Sequence, residues 1–379
     1  MPIYLDHAAT TPIAPEVREA LVRALDEDFG NAGSRTHEFG SRAKQLVQTA
    51  RKSVAAVVKA ESADVIFTSG ATEANNLAIL GLAGEGERRG RRHLVTTSIE
   101  HKAVLEPLQV LERRGFDVTY VPVGPGGRVV ASDVLGAVRE DTLLVSVMQA
   151  NNETGVLQPI EEIANGLVDH PAYLHVDAAQ GFGKDLEPLR HARIDLIAVS
   201  AHKIFGPKGI GALITRTRAY SRPPLEPLFY GGGQERGLRP GTLPVPLIVG
   251  FGVAADLCLQ RHRDRTARCL EIRQAALTAF QDLEMSVIGN AEPHLPHILS
   301  LAFHGVDSEA LMLSLKDLVA VSNGSACTSA SYAPSHVLTA MGLEADAVSS
   351  AVRLSWSADT PDIAWSEIAR RVAELQSAP

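Results

Sequence analysis

The chain has 379 residues, of which 45% are hydrophobic and 21% charged, and its 44 acidic and 36 basic residues give a net charge of −8. At roughly 150 residues per domain, this length predicts two domains or three, and so much apolar material excludes a disordered chain. The acidic balance argues against a protein that binds nucleic acid directly through bulk charge.

The amino terminus has no charged region followed by an apolar run, which is the pattern of a secretory signal peptide. An uncharged stretch near the middle of the chain, residues 240–255, is interrupted by Pro244 and Pro246, so we interpret it as a buried helix and not as a membrane span. The three cysteines are too few for a disulfide framework and form no zinc-binding pair. These observations predict a cytoplasmic protein without a membrane partner.

From about residue 60 to 215, short β-rich runs alternate with helical patterns. The strand candidates are residues 64–68, 93–97, 118–121, 143–148, 173–176, 194–199 and 211–214. The helical patterns between them include residues 71–82, 102–114 and 160–169. Several strand candidates are apolar without alternation, which is typical of strands buried on both faces of a sheet. This part of the chain therefore predicts an α/β domain with a mostly parallel sheet.

A different pattern begins near residue 245. A helical pattern extends from residue 246 to about 283, and the strand candidates after it are residues 284–288, 298–303, 318–321 and 351–356. Asp307 is the expected N-cap of one helix, and a final helix is expected from Pro361. We therefore expect a large domain over residues 13–255 and a smaller α+β domain built from residues 1–12 and 256–379.

Four segments at the ends of predicted strands carry unusual residues, and ligands in open α/β sheets bind at the carboxyl ends of strands. The first segment, TSGATE at residues 68–73, is a strand–turn–helix junction whose backbone N–H groups can bind an anion. It matches neither a Walker A loop nor the glycine fingerprint of dinucleotide-binding proteins. The anion expected there is the phosphate of a small cofactor.

The second and third segments supply an acid and an amine. Asp177 ends a buried apolar strand and is either a helix cap or the partner of a protonated pyridine nitrogen. Lys203 directly follows another strand, beside His202, and a desolvated lysine there can form a Schiff base. The alternative candidates for this amine are Lys208, Lys184 and Lys102.

The fourth segment contains Cys327, within SNGSACTS at residues 322–329. A lone cysteine among small polar residues is unlike a core cysteine, and it is a candidate nucleophile where a nearby cation or helix terminus lowers the thiol pKa. Cys258 and Cys269 lie on one face of the predicted long helix, and we interpret them as packing residues.

Several ordered motifs together resemble a known family. They are YLDHAATTP (4–12), FTSGATE (67–73), EHKAV (100–104), NNETG (151–155), HVD (175–177), HK (202–203), GGGQERG (231–237), RPGTLP (239–244) and GSACTS (324–329). These motifs resemble the group I cysteine desulfurases of the NifS and IscS type, among the class V aminotransferases and the fold-type-I enzymes that use pyridoxal 5′-phosphate. The length and the cysteine segment also resemble the DndA-type desulfurases of DNA phosphorothioation systems.

The resemblance implies a role for each matching residue. Lys203 is expected to bind the cofactor covalently and to shuttle protons, and Asp177 to pair with its pyridine nitrogen. His101 is expected to stack on the ring and to act in catalysis, as a candidate for the group that activates Cys327. Gln180 is expected to bond the phenolic oxygen, and Asn152 to contact the cofactor as well. The residues expected to hold the phosphate are Ala71, Thr72, Ser200, His202 and, from a second subunit, Thr242. A homodimer is therefore expected.

The resemblance also implies a substrate and a reaction. Asn152 and Arg353 are expected to bind the carboxylate of L-cysteine, Arg353 through two parallel hydrogen bonds. The Cys327 thiolate is expected to attack the substrate sulfur, which leaves a persulfide on Cys327 and releases L-alanine. The persulfide sulfur then passes to an acceptor protein, in iron–sulfur cluster assembly, DNA phosphorothioation or another thiolation pathway.

Other functions are open to the same residues. A selenocysteine lyase or a related aminotransferase shares Lys203 and Asp177, and a non-catalytic scaffold can keep the fold without the chemistry. No metal site is predicted with certainty, although Cys327 is a possible ligand of an iron–sulfur cluster.

Overall fold

The computed structural model describes residues 1–218, 220–323 and 334–377. Its strands are β1 (Ile3–Tyr4), β2 (Val65–Thr68), β3 (His93–Thr97), β4 (Asp117–Val121), β5 (Thr142–Met148), β6 (Tyr173–Asp177), β7 (Leu196–Ser200), β8 (Gly211–Thr215), β9 (Met285–Ile288), β10 (Ile298–Phe303), β11 (Val319–Ala320) and β12 (Ala351–Ser355). Its helices are α1 (Pro15–Asp26), α2 (Glu38–Val57), α3 (Ala71–Leu80), α4 (Ala83–Arg89), α5 (Lys102–Arg113), α6 (Ala131–Gly136), α7 (Ile160–Gly166), α8 (Val245–Gln260), α9 (His262–Phe280), α10 (Ser308–Leu315), α11 (His336–Ala340), α12 (Ala345–Ser349) and α13 (Trp365–Gln376).

A seven-stranded sheet forms the centre of the large part of the molecule, in the order β2-β8-β7-β6-β5-β3-β4. Strand β8 is antiparallel to β2 and β7, and the other neighbouring strands are parallel. Every residue of β5 and β7 is buried, because helices cover both faces of the sheet. The predicted α/β class with a mostly parallel sheet is confirmed.

The two faces of the sheet belong to two hydrophobic cores. Along β5, Val145 and Val147 pack in a core with residues of α1, α2 and α8, while Leu144 packs in a second core with residues of α3 and α5. The alternation follows from the two-residue side-chain period of a strand. Helix α3 therefore begins at one edge of this sheet and runs back across one of its faces.

A smaller sheet, in the order β12-β10-β9, is antiparallel throughout. Its core contains Trp356, Phe280 and Phe303, together with residues of α9, α10 and α13. The amino terminus belongs to this core through Leu5, and β1 pairs in parallel with β11. The chain thus starts in the small sheet region before it enters the large one. The division at residue 255 stays a prediction.

The single long helix predicted over residues 246–283 is two helices. Helix α8 ends at Gln260, and α9 begins at His262 after Arg261, whose φ and ψ are −108° and 10°. Cys258 and Cys269 therefore lie on different helices; both are buried, as expected of packing residues. The periodicity continues across the break because both helices have buried apolar faces, so the pattern alone does not reveal it.

Two other helices have boundaries that differ from the predicted ones. The helix predicted from Pro361 begins at Trp365, and the helix predicted over residues 71–82 ends at Leu80. The Asp307 N-cap is confirmed, because its Oδ1 accepts hydrogen bonds of 3.1 Å from the backbone N–H groups of Glu309 and Ala310.

No helix within residues 1–218, 220–323 and 334–377 is long and apolar enough to span a bilayer.

A buried ion pair joins the GGGQERG segment to the large sheet. Glu235 accepts hydrogen bonds from both terminal nitrogens of Arg51, at 2.8 and 2.5 Å, and from the backbone N–H of Phe67, at 2.7 Å. The Arg51 guanidinium carbon lies 4.6 Å from the centre of the Phe67 ring. Helix α2, strand β2 and residues 231–237 are therefore held together by one carboxylate.

We predict that Glu235→Ala lowers the free energy of unfolding by about 3–5 kcal/mol, because it leaves the Arg51 charge buried without a partner. Glu235→Gln keeps hydrogen-bonding atoms in the same place, so it is expected to lower the free energy of unfolding by less than Glu235→Ala does. Urea titration of both variants measures the effect. Glu162→Ala, which removes a surface pair with Arg128, is the control and should leave the midpoint unchanged. Equal midpoints for Glu235→Ala and Glu162→Ala would contradict the prediction.

Candidate functional site

A cavity of about 680 Å³ opens at the carboxyl edge of the large sheet. This volume lies in the usual range for sites that bind small molecules and cofactors. The sequence-predicted residues that line it are Ala71, Thr72, His101, Asn152, Asp177, Gln180, Ser200, His202, Lys203 and Arg353. The cavity thus brings together side chains from six segments that are far apart in sequence.

Lys203 lies in a 3₁₀ turn that follows β7 directly. Its Nζ donates to the carbonyl oxygens of Ala8 and Ala9, the latter at 2.9 Å. Among the alternative lysines, Lys208 also lines the cavity, whereas Lys184 and Lys102 are not among its lining residues. Lys184 is buried elsewhere, with its Nζ 3.0 Å from Nε2 of His297. The geometry favours Lys203 as the reactive amine.

Asp177 ends β6 next to this lysine, with its side chain buried. Its Oδ2 accepts a hydrogen bond of 2.8 Å from Asn75, and its Oδ1 accepts one of 2.9 Å from the backbone N–H of Ala179. The second bond is a local turn contact, because the next helical element after β6 is the 3₁₀ turn at Pro188–Arg190. The helix-cap interpretation of Asp177 is therefore wrong. Two neutral donors hold the carboxylate in place and leave its charge available to a cation in the cavity.

Asn75 was not identified from sequence, although a signal for it exists. It lies on α3 among buried apolar residues such as Ala74 and Leu77, where a fully buried amide requires a polar partner. Its Nδ2 finds that partner in Asp177, and its Oδ1 has no hydrogen-bond partner among the described residues.

The amino-terminal end of α3 faces the same cavity. Gly70 occupies the N-cap position, and no side chain caps the helix there. Ala71 and Thr72, the first two residues of the helix, line the cavity. Uncapped N–H groups at a helix start are a suitable site for a phosphate. A Cβ at position 211 would lie 2.7 Å from the Cα of Gly70, so glycine in β8 lets this turn approach the sheet.

Two more polar groups border this anion position. Ser200 is the last residue of β7, and His202 lies in the turn after it, with its Nδ1 3.1 Å from Oγ1 of Thr10. Burial lowers the pKa of His202 to about 4, and the nearby charges of Lys203 and Lys208 act in the same direction. The imidazole is therefore neutral at pH 7 and acts as a hydrogen-bonding group without charge.

His101 is the N-cap of α5, and its Nδ1 accepts a hydrogen bond of 3.0 Å from the backbone N–H of Ala103. The ring proton of the neutral imidazole is consequently on Nε2. Burial lowers the pKa of His101; Asp177 opposes this shift, and Lys203 adds to it. A neutral aromatic ring at this position suits stacking against a flat cofactor.

Gln180, Asn152 and Arg353 complete the lining. Gln180 donates from Nε2 to the carbonyl oxygen of Ala8 at 2.9 Å, and its Oε1 is buried without a partner in the described part of the chain. Arg353, on β12, is 3% exposed. Its Nη1 donates to the carbonyl oxygen of Asn152 at 2.8 Å, and its Nη2 lies 2.6 Å from Oδ1 of Asp6.

Residues 6–11, which we call the N-terminal strap, form a wall of the cavity that sequence analysis did not recognise. The strap contacts four of the expected residues: Lys203, Gln180, His202 and Arg353. The contacts to Lys203 and Gln180 use the backbone carbonyl oxygen of Ala8, which no side-chain pattern encodes. The YLDHAATTP motif contributes to the family resemblance, but no role in the site was predicted for its residues.

Two expected residues do not belong to the described cavity. Thr242 is exposed and does not line it. Cys327 lies outside the described residues, as do the other members of GSACTS. Among residues 1–218, 220–323 and 334–377, no group of three histidine, cysteine or acidic side chains is arranged to hold a metal ion.

The donor set of the cavity fits pyridoxal 5′-phosphate. It contains a primary amine, a buried carboxylate, a neutral imidazole and an uncapped helix start. The buried Oε1 of Gln180 and Oδ1 of Asn75, which have no partners among the described residues, border the same space. The residues that could hold the phosphate are Ala71, Thr72, Ser200 and His202, and those that could contact the ring are His101, Asp177 and Gln180.

Glu100 lies behind this site, directly before His101 in the chain. Its Oε1 accepts hydrogen bonds from Oγ1 of Thr97, at 2.7 Å, and from the backbone N–H of Met148, at 2.9 Å. Its Oε2 is buried with no partner in the described segments. Burial raises the pKa of Glu100 to about 8, although these two hydrogen bonds oppose the shift.

We predict that Glu100 makes the unfolding free energy fall as pH rises from about 4.5 to about 8, because the native state holds its proton over this interval and the unfolded chain does not. Glu100→Gln removes this contribution, so the variant should gain stability relative to the wild type as pH rises. Urea titrations across the interval measure the difference. Glu106→Gln, at an exposed position of α5, is the control. A constant difference between wild type and Glu100→Gln would contradict the prediction.

Comparison with known proteins agrees with this geometry. Residues 3–361 match the family model of the class-V aminotransferases. Cysteine desulfurase IscS of Vibrio campbellii is 45% identical over 96% of this chain and 89% of its own length. The crystal structure of DndA from Streptomyces lividans is 49% identical, with a TM-score of 0.82 over 93% of this chain and 99% of that one. A structure of SspA in complex with cysteine is 36% identical, with a TM-score of 0.82 over 93% of this chain and 98% of that one. The chain belongs to the class-V aminotransferase family and, within it, to the cysteine desulfurases.

Proposed function

We propose that this protein uses pyridoxal 5′-phosphate to remove sulfur from L-cysteine, releases L-alanine, and passes the sulfur from Cys327 to an acceptor protein. The observation that carries the proposal is the convergence of Lys203, Asp177 and His101 on one cavity beside the uncapped start of α3. The related SspA, whose structure was solved in complex with cysteine, supports the choice of substrate.

Each cofactor-binding role follows from a position in the cavity. When bound, pyridoxal 5′-phosphate supplies an aldehyde that condenses with amines and a ring that withdraws electrons from the attached amino acid. Lys203 would hold the cofactor through its aldehyde, and the Asp177 carboxylate would pair with the pyridine nitrogen. His101 would pack against the ring, and Gln180 would donate to the phenolic oxygen through the second N–H of Nε2, since the first is donated to Ala8. The residues that would hold the phosphate are Ala71, Thr72, Ser200 and His202.

The substrate is oriented by its carboxylate. Arg353 offers a guanidinium group that is almost fully buried, which strengthens a hydrogen-bonded pair with a carboxylate. Asn152 lines the cavity beside it, with its carbonyl oxygen bonded to Arg353. Lys203, which lines the same cavity, would supply the amine that moves a proton at the substrate Cα.

Cys327 carries the sulfur. Its thiolate attacks the sulfur of the substrate, so a new S–S bond forms and the C–S bond of cysteine breaks. The electron pair of the broken bond stays with the carbon skeleton, which takes up protons and leaves as L-alanine. Cys327 keeps the sulfur as a persulfide, and a nucleophilic thiol of the acceptor protein then removes it.

A homodimer completes the phosphate site. Thr242 is exposed on a single chain, and the same segment presents the exposed aromatic side chains Phe229 and Tyr230. Arg239 joins this segment to the start of α3, because its Nε donates to Glu73 at 3.1 Å. We assign Thr242 to the phosphate of the second subunit, in line with its motif.

We predict that Cys327→Ala lowers the release of alanine and sulfide from L-cysteine by about 100-fold or more, because the nucleophile is lost. The yellow colour of the bound cofactor should remain. Cys258→Ala, which replaces a buried cysteine of α8, is the matched control and should keep both activity and colour.

Other outcomes of this experiment separate the rival functions. Equal activity of wild type and Cys327→Ala would contradict the proposed mechanism and favour a selenocysteine lyase or an aminotransferase, which do not need this thiol. A colourless protein that takes up no pyridoxal phosphate would favour a non-catalytic scaffold.

We predict that Thr242→Ala weakens binding of pyridoxal 5′-phosphate by about tenfold, the value of one hydrogen bond to a charged group. Titration of the cofactor-free protein measures it, and light scattering should give the mass of a dimer for both proteins. Thr278→Ala, at a position on α9, is the control. Unchanged affinity in Thr242→Ala, or a monomer in the wild type, would contradict the assignment.

A further inference from the structure

Asp6, in the N-terminal strap, is paired with Arg353 inside the cavity. Its Oδ1 lies 2.6 Å from Nη2 of Arg353, and the side chain of Arg353 is 3% exposed against 19% for Asp6. A charge-assisted hydrogen bond at this depth is screened little by water. The orientation of the guanidinium therefore depends on where the Asp6 carboxylate is held.

The backbone around Asp6 is fixed to β12, the strand that carries Arg353. The backbone N–H of His7 donates to the carbonyl oxygen of Ser355 at 3.2 Å, and that of Ala8 donates to the Ser355 hydroxyl at 2.9 Å. The Tyr4 hydroxyl lies 2.9 Å from the carbonyl oxygen of Asp6. Since Ser355 is two residues from Arg353 on the same strand, both members of the ion pair are anchored to one element.

The pair leaves Arg353 enough donors for a ligand. A guanidinium group has five N–H donors; Asp6 takes one, and the carbonyl oxygen of Asn152 takes another. The Nε of Arg353 is buried and has no hydrogen-bond partner among the described residues. Three of the five N–H donors of Arg353 therefore remain for a ligand while the pair with Asp6 is kept.

We propose that Asp6 is a positioning residue that orients Arg353 for the substrate carboxylate and thereby makes the site prefer α-amino acids over simple amines. The inference rests on the proposed function, in which Arg353 binds that carboxylate. Asp6 acts through Arg353 and touches neither the reacting sulfur nor the amine of Lys203 in this account. Its loss is expected to change binding of the carboxylate and to leave the chemical steps unaltered.

The test compares ligands with and without the carboxylate on the cofactor-loaded protein. L-Alanine and ethylamine differ by this group alone, and calorimetry measures the dissociation constant of each. Asp6→Asn keeps the size of the side chain and removes its charge. We expect this substitution to weaken the binding of L-alanine by about tenfold and to leave the dissociation constant of ethylamine unchanged. KM for L-cysteine should rise by a similar factor while kcat stays within about twofold.

Asp117→Asn is the matched control, because Asp117 also forms a 2.6 Å ion pair with an arginine, Arg139, but on the surface. It should behave as the wild type with both ligands. If Asp6→Asn weakened the binding of L-alanine and of ethylamine equally, the inference would be overturned, because a general distortion of the site affects both ligands alike. Tighter binding of L-alanine would also overturn it, because Asp6 would then compete with the ligand.

Arg353→Lys separates failure of this inference from failure of the proposed function. Loss of L-alanine binding in Arg353→Lys, together with no effect of Asp6→Asn, would reject the role of Asp6 and keep that of Arg353. Unchanged L-alanine binding in Arg353→Lys would instead remove Arg353 from carboxylate binding and contradict the substrate site as proposed.

Discussion

The site depends on the parallel pairing of β6 and β7. The register sets Asp177 opposite Ala198, so both strands end at the same edge of the sheet. Asp177 is the last residue of β6, and Lys203 follows the end of β7 by a single 3₁₀ turn. Because parallel strands deliver their carboxyl ends together, an acid and an amine that are 26 positions apart in sequence meet beside one cavity. The start of α3 reaches the same edge because β2 and β7 are both antiparallel to β8 and so run in the same direction, which puts the carboxyl end of β2 at that edge.

The second determinant of the site is the N-terminal strap, which connects the small sheet with the large one. Its side chains and carbonyl oxygens bond to Lys203, Gln180, His202 and Arg353. The strap is itself bonded to β12, and the backbone of Arg353 pairs with that of Ser322, at the start of the segment that leads to Cys327. The strap is therefore bonded both to residues of the cofactor-binding edge and to β12, the strand that pairs with Ser322. This arrangement explains why a short amino-terminal stretch is rich in polar contacts although it has little regular structure.

Much of the fold could be predicted because its strands are short, apolar and separated by helices of clear periodicity. The strand at His93–Thr97 and the strand at Ile298–Phe303 match their expected limits. The break at Arg261 could not be predicted, because the apolar pattern continues from one helix to the next. In the site, Lys203 and Asp177 could be picked out as candidates because each lies at the end of a predicted strand, and the ends of parallel strands meet at one edge of the sheet. Asn75 and the carbonyl oxygens of Ala8 and Ala9 were missed, since their roles depend on tertiary contacts that no local pattern records. The role of Asp6 is likewise visible only once Arg353 is placed 2.6 Å away from it.

We propose that Lys203, among the eight lysines of the chain, is the amine that binds pyridoxal 5′-phosphate. The most direct measurement is reduction of the cofactor-loaded protein with borohydride, followed by mass spectrometry of its peptides. We expect the reduced cofactor to be attached to the peptide that contains Lys203. Lys203→Arg should yield no labelled peptide, while Lys208→Arg should be labelled as in the wild type. Attachment to Lys208, or to any lysine other than Lys203, would contradict the account.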